Sequence, residues 1–161
     1  MTNANNFFDL VRHPIKFRLF LLTKLPSAYF CGVRVRYADT EKCVVTVPYK
    51  WFSTNPFIST YFACLSMAAE MSTGVLAMAH TYRQDPAVSM LVLKVEGNFM
   101  KKATGITTFT CEDGKLVTQL VREALSSGKA TTATMRSTGK NKDGDTVAEF
   151  AITWTFKSKV K

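Results

Sequence analysis

Histidine is nearly missing from this chain: only His13 and His80 occur. Four cysteines stand at 31, 43, 64 and 111, and no two of them have Cys-x-x-Cys spacing. Without clustered Cys and His there is no zinc pattern, so no metal and no cofactor is expected. Each cysteine sits in an apolar segment and reads as a small hydrophobe carrying a free thiol. The N-terminal MTNANNFFDLVRH lacks the charged start and long apolar middle of a signal peptide. A cytoplasmic setting is the expectation. Dense basic runs are also missing. The chain carries 21 Lys and Arg against 12 Asp and Glu, a formal net charge of +9. The bases come in short groups only: Lys101-Lys102, Lys140 with Lys142, and the tail Lys157, Lys159, Lys161. No aromatic-basic RNA motif or helix-turn-helix pattern appears, which argues against a nucleic-acid partner. A phosphate-rich small ligand such as coenzyme A, or simple solubilising charge, fits the scattered pattern. Repeats, low-complexity tracts and linkers are absent, so the 161 residues read as one domain over 1–161 with a helical extension at about 1–25.

What the chain does have is a long apolar run, PFISTYFACLSMAAEMSTGVLAMA, from Pro56 to Ala79, containing a single charge, Glu70. An ionised carboxylate inside a buried helix is costly unless it is paired or used. The run is long enough to cross a bilayer. Glu70 at mid-span, with Ser66, Ser72 and Thr73 beside it, instead favours a helix buried in protein, with no stable membrane insertion.

Around this run the pattern predicts a series of elements. Two short helices over 4–24 break at Pro14, and Leu25-Pro26-Ser27 ends the second. In that second helix Lys16, Arg18 and Lys24 alternate with apolar residues, a pattern suited to capping a sheet edge or to touching a membrane or partner. YFCGVRVRY reads as a strand, a polar turn follows from Ala38 to Lys42, and KCVVTVPYKW completes a hairpin. The long helix is expected to take its cap from Ser53–Asn55, with Pro56 in its first turn, and to end near His80 to Asp85. Residues 89–100 and 103–112 read as another strand pair. KLVTQLVREALSS is an amphipathic helix stopped by Gly128. Residues 130–138 and 146–157 form a last hairpin, with Ala148, Phe150, Ile152, Trp154 and Phe156 inward. Six strands around one apolar helix suggest an α+β fold in which a curved antiparallel sheet wraps the helix. A second copy is the expected cover for the helix's remaining side.

On a helix, Ser66 and Thr73 lie one turn either side of Glu70 and can share a cavity wall. The turn from Ser59 to Phe62 would offer backbone N–H groups and the positive end of the helix dipole to a carbonyl or oxyanion. At ~1.5 Å per residue that turn lies roughly 12–15 Å from Glu70. One helix therefore cannot serve one carbonyl with both parts, whereas antiparallel helices in a dimer can.

Here the sequence resembles the hotdog-fold acyl-CoA thioesterases, over about residues 26–157. That family carries an Asn, then Gly-Thr, then His-Gly-Gly, then an acid nine residues after the His. Asn55 matches the Asn, and Glu70 stands fifteen residues later, the family's spacing for the acid. NFMKKATG (98–105) resembles the family's strand-turn, and DGDTVAEFAITW (143–154) its last strand. Ile58-Ser59 stands where the family has Gly-Thr, and Tyr61-Phe62-Ala63 where it has His-Gly-Gly. The resemblance implies a six-stranded hotdog fold and a homodimer, with a dimer-to-tetramer choice left open. It also implies hydrolysis of an acyl thioester such as acyl-CoA, with Glu70 as general base or nucleophile, Asn55 in the site and the Phe62 N–H polarising the carbonyl. Ser59, Tyr61, Ser66 and Thr73 would line the substrate. Lys101, Lys102 and Arg136 are phosphate candidates by charge and position. Loss of His-Gly-Gly leaves a second reading open, a binding module that holds acyl-CoA or a fatty acyl group without turnover. The structural alternatives are that Glu70 is bridged by Ser66, Thr73 or a cation, and that Asn55 only caps the helix.

Overall fold

The fold is given by a computed structural model describing residues 3–159. Lys161 of the basic tail and the first two residues of the N-terminal extension lie outside the described residues. Six strands form one antiparallel sheet: β1 (Arg34–Ala38), β2 (Cys43–Val47), β3 (Val88–Phe99), β4 (Thr107–Cys111), β5 (Thr131–Lys140) and β6 (Thr146–Ser158). Their spatial order is β1-β2-β4-β5-β6-β3. The hairpins β1–β2 and β5–β6 form as expected. The pairing of residues 89–100 with 103–112 does not: β3 lies only against β6, whereas β4 fits between β2 and β5. Period-two alternation tells which side chains share a face, not which strand lies alongside. The segment between β3 and β4 is held elsewhere, since the Met100 N–H donates to the Val147 carbonyl at 2.9 Å and the Ala103 carbonyl accepts the Thr60 N–H at 2.8 Å.

The inward residues of β6 are those expected: Ala148, Phe150, Ile152, Trp154 and Phe156 are all buried. They face the long helix α4 (Phe62–Thr81), which the sheet wraps. By length and composition α4 could cross a membrane, but two-thirds of its apolar window is buried inside the fold. The N-terminal segment forms α1 (Asn3–Arg12), α2 (Pro14–Lys24) and a third helix, α3 (Pro26–Cys31). Tyr29–Cys31 thus belong to a helix rather than to the first strand. Pro26 opens that helix, and Gly32, at φ +81°, closes it in the left-handed region where a side chain would be strained. Arg12 ties α1 to the sheet, its Nε and Nη2 donating to the Ala38 carbonyl at 3.0 and 2.7 Å. The amphipathic helix α5 (Gly114–Ser127) buries Val117, Val121 and Ala124 and ends at Gly128, as its pattern predicts.

Helices α1, α3 and α5 of the same chain pack against α4. From Met71 onward almost every residue of α4 is buried. Before that point Ala63, Ser66, Met67 and Glu70 stay half-buried. They recur at helical spacing and form one stripe, open along the first turns of α4 and ending at Glu70.

Candidate active site

The helix does not begin at Pro56. Its first residue is Phe62, and Tyr61 occupies the cap position without a side-chain hydrogen bond. The preceding residues make a closed loop instead, pinned by a bridge between Thr54 and Thr60. Asn55 organises it. Its Oδ1 accepts the Phe57 N–H at 3.0 Å, the Ser59 N–H at 3.2 Å and the Ser59 hydroxyl at 3.2 Å. An Asn side chain that captures N–H groups locally competes with the helix for them. This displaces the helix start by six residues and places Ile58 at φ +57°. Asn55 is therefore the keystone of a loop and not a helix cap.

That loop also consumes most of the N–H groups expected to be free. Ser59 donates to Asn55, Thr60 to the Ala103 carbonyl at 2.8 Å, and Tyr61 to the Ser53 carbonyl at 2.7 Å. Among the described residues, the donors left unengaged at this end of α4 are the Phe62 and Ala63 N–H groups. The side chains of Tyr61 and Phe62 meet edge to face at 4.8 Å, and Phe62 meets Phe99 of β3 at 6.3 Å. Both are exposed, and Phe62 stands where the resembling family has a glycine.

Glu70 lies two turns further along α4. No hydrogen bond or ion pair engages its carboxylate among the described residues. Ser66 and Thr73, the expected bridges, turn elsewhere. Ser66 Oγ donates to the Phe62 carbonyl at 3.0 Å, and Thr73 Oγ1 to the Glu70 carbonyl at 2.9 Å. Thr73 is fully buried, and its Oγ1 also accepts the indole N–H of Trp154 at 3.0 Å. The Glu70 carboxylate borders a small apolar cavity of about 70 Å³, walled by Phe17, Phe20 and Leu21 of α2, Met78 of α4, Met90 of β3 and Trp154 of β6. Burial raises its pKa above the ordinary carboxylate value.

Gly74 makes room for this arrangement. A Cβ there would stand 3.1 Å from Glu70 Oε1 and 3.4 Å from the Trp154 ring. The glycine one turn after the acid was the available sequence signal for a close approach. The roof formed by α2 and the wall formed by Trp154 had none, because both depend on tertiary neighbours.

The basic candidates divide. Lys102 Nζ donates to the Phe57 carbonyl at 3.3 Å, which puts it on the Asn55 loop. Lys101 is held by Asp145 at 2.9 Å. Arg136 alternates outward on β5, on the face of the sheet opposite α4, away from Glu70. The structure thus brings Asn55, Ser59, Tyr61, Phe62 and Lys102 together at one end of α4. Glu70 sits about 12 Å along the same helix, Thr73 is turned into the core, and Arg136 is on the far side.

Comparison with curated protein sequences finds no match. Among solved structures, a Pseudomonas aeruginosa protein of unknown function, described as "Probable Thioesterase", superposes at a TM-score of 0.76 with 20% identity, over 90% of this chain and 96% of that one. A mutant thioesterase from the same organism superposes at 0.66 with 16% identity, over 91% and 96%. A thioesterase from Haemophilus influenzae superposes at 0.62 with 10% identity, over 89% and 90%. At these identities the likeness is one of fold, and the fold is the hotdog fold. A domain of unknown function, DUF4442, matches residues 16–156, and the chain belongs to that family.

Proposed function

We propose that the protein is a thioester hydrolase acting on acyl thioesters such as acyl-CoA. One observation carries this reading: Glu70, without a partner and with a raised pKa, stands where an open stripe of the wrapped helix meets an apolar cavity. An unpaired carboxylate held above its ordinary pKa suits a general base that must also return a proton. In the proposed reaction Glu70 takes a proton from water and the water oxygen bonds to the thioester carbonyl carbon. The carbonyl oxygen becomes an oxyanion stabilised by the Phe62 and Ala63 N–H groups. The C–S bond then breaks, and the thiolate leaves with the proton held by Glu70. The apolar cavity takes the acyl chain, and Lys102 is placed to meet a phosphate.

Since one helix cannot present both parts to one carbonyl, the site needs a second copy. Among the described residues the outer edge of β3 has no neighbour, and Leu91, Leu93, Val95 and Phe99 are exposed along the strand. A homodimer joined at this edge would set the open stripe of one α4 beside the helix start of the other. The similarity in fold to thioesterases supports the reading.

The exposed Tyr61 and Phe62 rings at the helix start favour one second reading, a module that binds acyl-CoA without turning it over. A panel of acyl-CoAs offered to wild type and to Glu70→Gln separates the two. Hydrolysis by wild type and its loss in the variant is the expected result. Acyl-CoA bound and recovered intact after long incubation would establish the binding module, and equal hydrolysis by both proteins would remove Glu70 from the chemistry.

A further inference from the structure

Helix α2 is apolar on two opposite faces. Phe17 and Leu21 point into the core, where they are buried. Ile15, Leu19 and Leu22 recur at i, i+4 and i+7 on the other side, and Ile15 and Leu19 are 64% and 56% exposed. A helix that keeps an apolar stripe in water is waiting for an apolar phase. Further apolar side chains are exposed beyond α2. Exposed Leu25 leads into α3, whose Phe30 is also exposed. The Phe30 ring meets Phe52 at 5.5 Å, and Phe52 meets Trp51 at 4.7 Å. Trp51 is 80% exposed.

The charges around this patch have one sign. No Asp or Glu occurs between Leu10 and Ala38, nor between Lys42 and Ala69. Lys16, Arg18 and Lys24 are exposed on α2 itself. The Arg18 and Arg34 guanidinium groups lie over the Tyr29 ring at 5.8 and 5.1 Å. The end of the Lys50 side chain lies beside Gly32, at the end of α3. Leu25 borders the small cavity beside Glu70, whereas Ile15, Leu19, Phe30, Phe52 and Trp51 are exposed to solvent. An apolar surface with a protruding Trp and flanking cations has the chemistry of an interfacial helix on an anionic bilayer.

We propose that α2, with Phe30, Phe52 and Trp51, docks the protein reversibly on the surface of membranes rich in anionic lipid. The apolar side chains enter the headgroup boundary, the Lys and Arg side chains reach the phosphates, and no segment spans the bilayer. The side chains that meet the bilayer, Ile15, Leu19, Leu22, Phe30, Phe52 and Trp51, are not among those assigned to hydrolysis, although the inner face of the same helix walls the cavity beside Glu70.

The test uses the full chain with vesicles of phosphatidylcholine alone and of phosphatidylcholine mixed with phosphatidylglycerol. Flotation and tryptophan emission report binding. Trp154 is buried, so a blue shift on adding vesicles reports Trp51. The expected results are binding to the anionic vesicles, weakened by salt, with a blue shift. A Leu19→Asp, Leu22→Asp double variant should weaken it by at least about tenfold. A Lys16→Glu, Arg18→Glu variant should do the same through charge. These positions are exposed, and an unchanged far-UV spectrum and melting point confirm that the variants fold. The proposal is overturned by no binding of wild type to anionic vesicles, by binding unaffected by both double variants, or by variants that change only the oligomeric mass, which would make the patch a contact between copies. Binding only an acidic protein and no vesicle would overturn it as well.

Discussion

At the scale of single residues, the fold holds two groups under tension, and each gives a direct expectation. Burial raises the Glu70 pKa, so the folded state disfavours the charged form. Between the ordinary Glu pKa of about 4.3 and the raised folded value, the native state holds more protons than the unfolded chain, and stability falls as pH rises through that window. Glu70→Gln removes this cost. It should equal or exceed wild type in chemical denaturation at pH 8, with the difference fading toward about pH 4. If hydrolysis needs the ionised acid, the wild-type rate should rise with pH through a midpoint above the ordinary carboxylate value, and Glu70→Gln should abolish it. The second strained group is Ile58, a β-branched residue at φ +57° with its side chain in water. Left-handed backbone costs a non-glycine residue about 1–2 kcal/mol. Ile58→Asn should therefore stabilise the protein by about 1 kcal/mol, read as a higher denaturant midpoint at unchanged slope.

Among the elements, β1 and β3 are the edge strands of the sheet that the described residues form, and β3 is the longer and carries the more apolar exposed side chains. It is paired along one side only, and its exposed Leu91, Leu93 and Val95 lie along the strand. If the proposed homodimer joins at this edge, Val95→Lys with Leu93→Lys should leave the fold intact and shift sedimentation from dimer toward monomer, with the proposed hydrolysis lost in parallel. Retained dimer mass would place the interface elsewhere. The elements also show what sequence pattern conveys. Alternation gives the inward face of β6, and helical spacing gives Val117, Val121 and Ala124 of α5 but also points to Leu116, which is exposed. Spacing follows from backbone geometry, while the edge of a face is set by its neighbours. The start of α4 was misplaced because Asn55, a favoured cap, spends its side chain on a loop. The neighbours of β3 and β4 were misplaced because pairing is decided by contacts distant in sequence. For the site, the lone charge of Glu70 was visible at once, whereas Phe17, Phe20, Leu21 and Trp154 around it came together only through the fold.

Over the whole molecule, the N-terminal helices and the wrapped helix form one unit. Leu21 is fully buried and roofs the cavity beside Glu70. Leu21→Ala should destabilise the fold by about 2–5 kcal/mol. By admitting water, it should also move the pH–rate midpoint of Glu70 downward. Calorimetry and a pH–rate profile on the same variant check both effects. The strand order has a further consequence, for the birth of the chain on the ribosome. Among the described residues β3 pairs only with β6, the last of these strands to be made. While residues 100–145 are translated, a twelve-residue strand rich in Leu, Val and Met must wait with both edges bare. Long-range pairing of this kind is slow and open to aggregation. A nascent chain arrested before Thr146 should therefore recruit chaperones and be cut by protease within β3, whereas release of the finished chain should close that window.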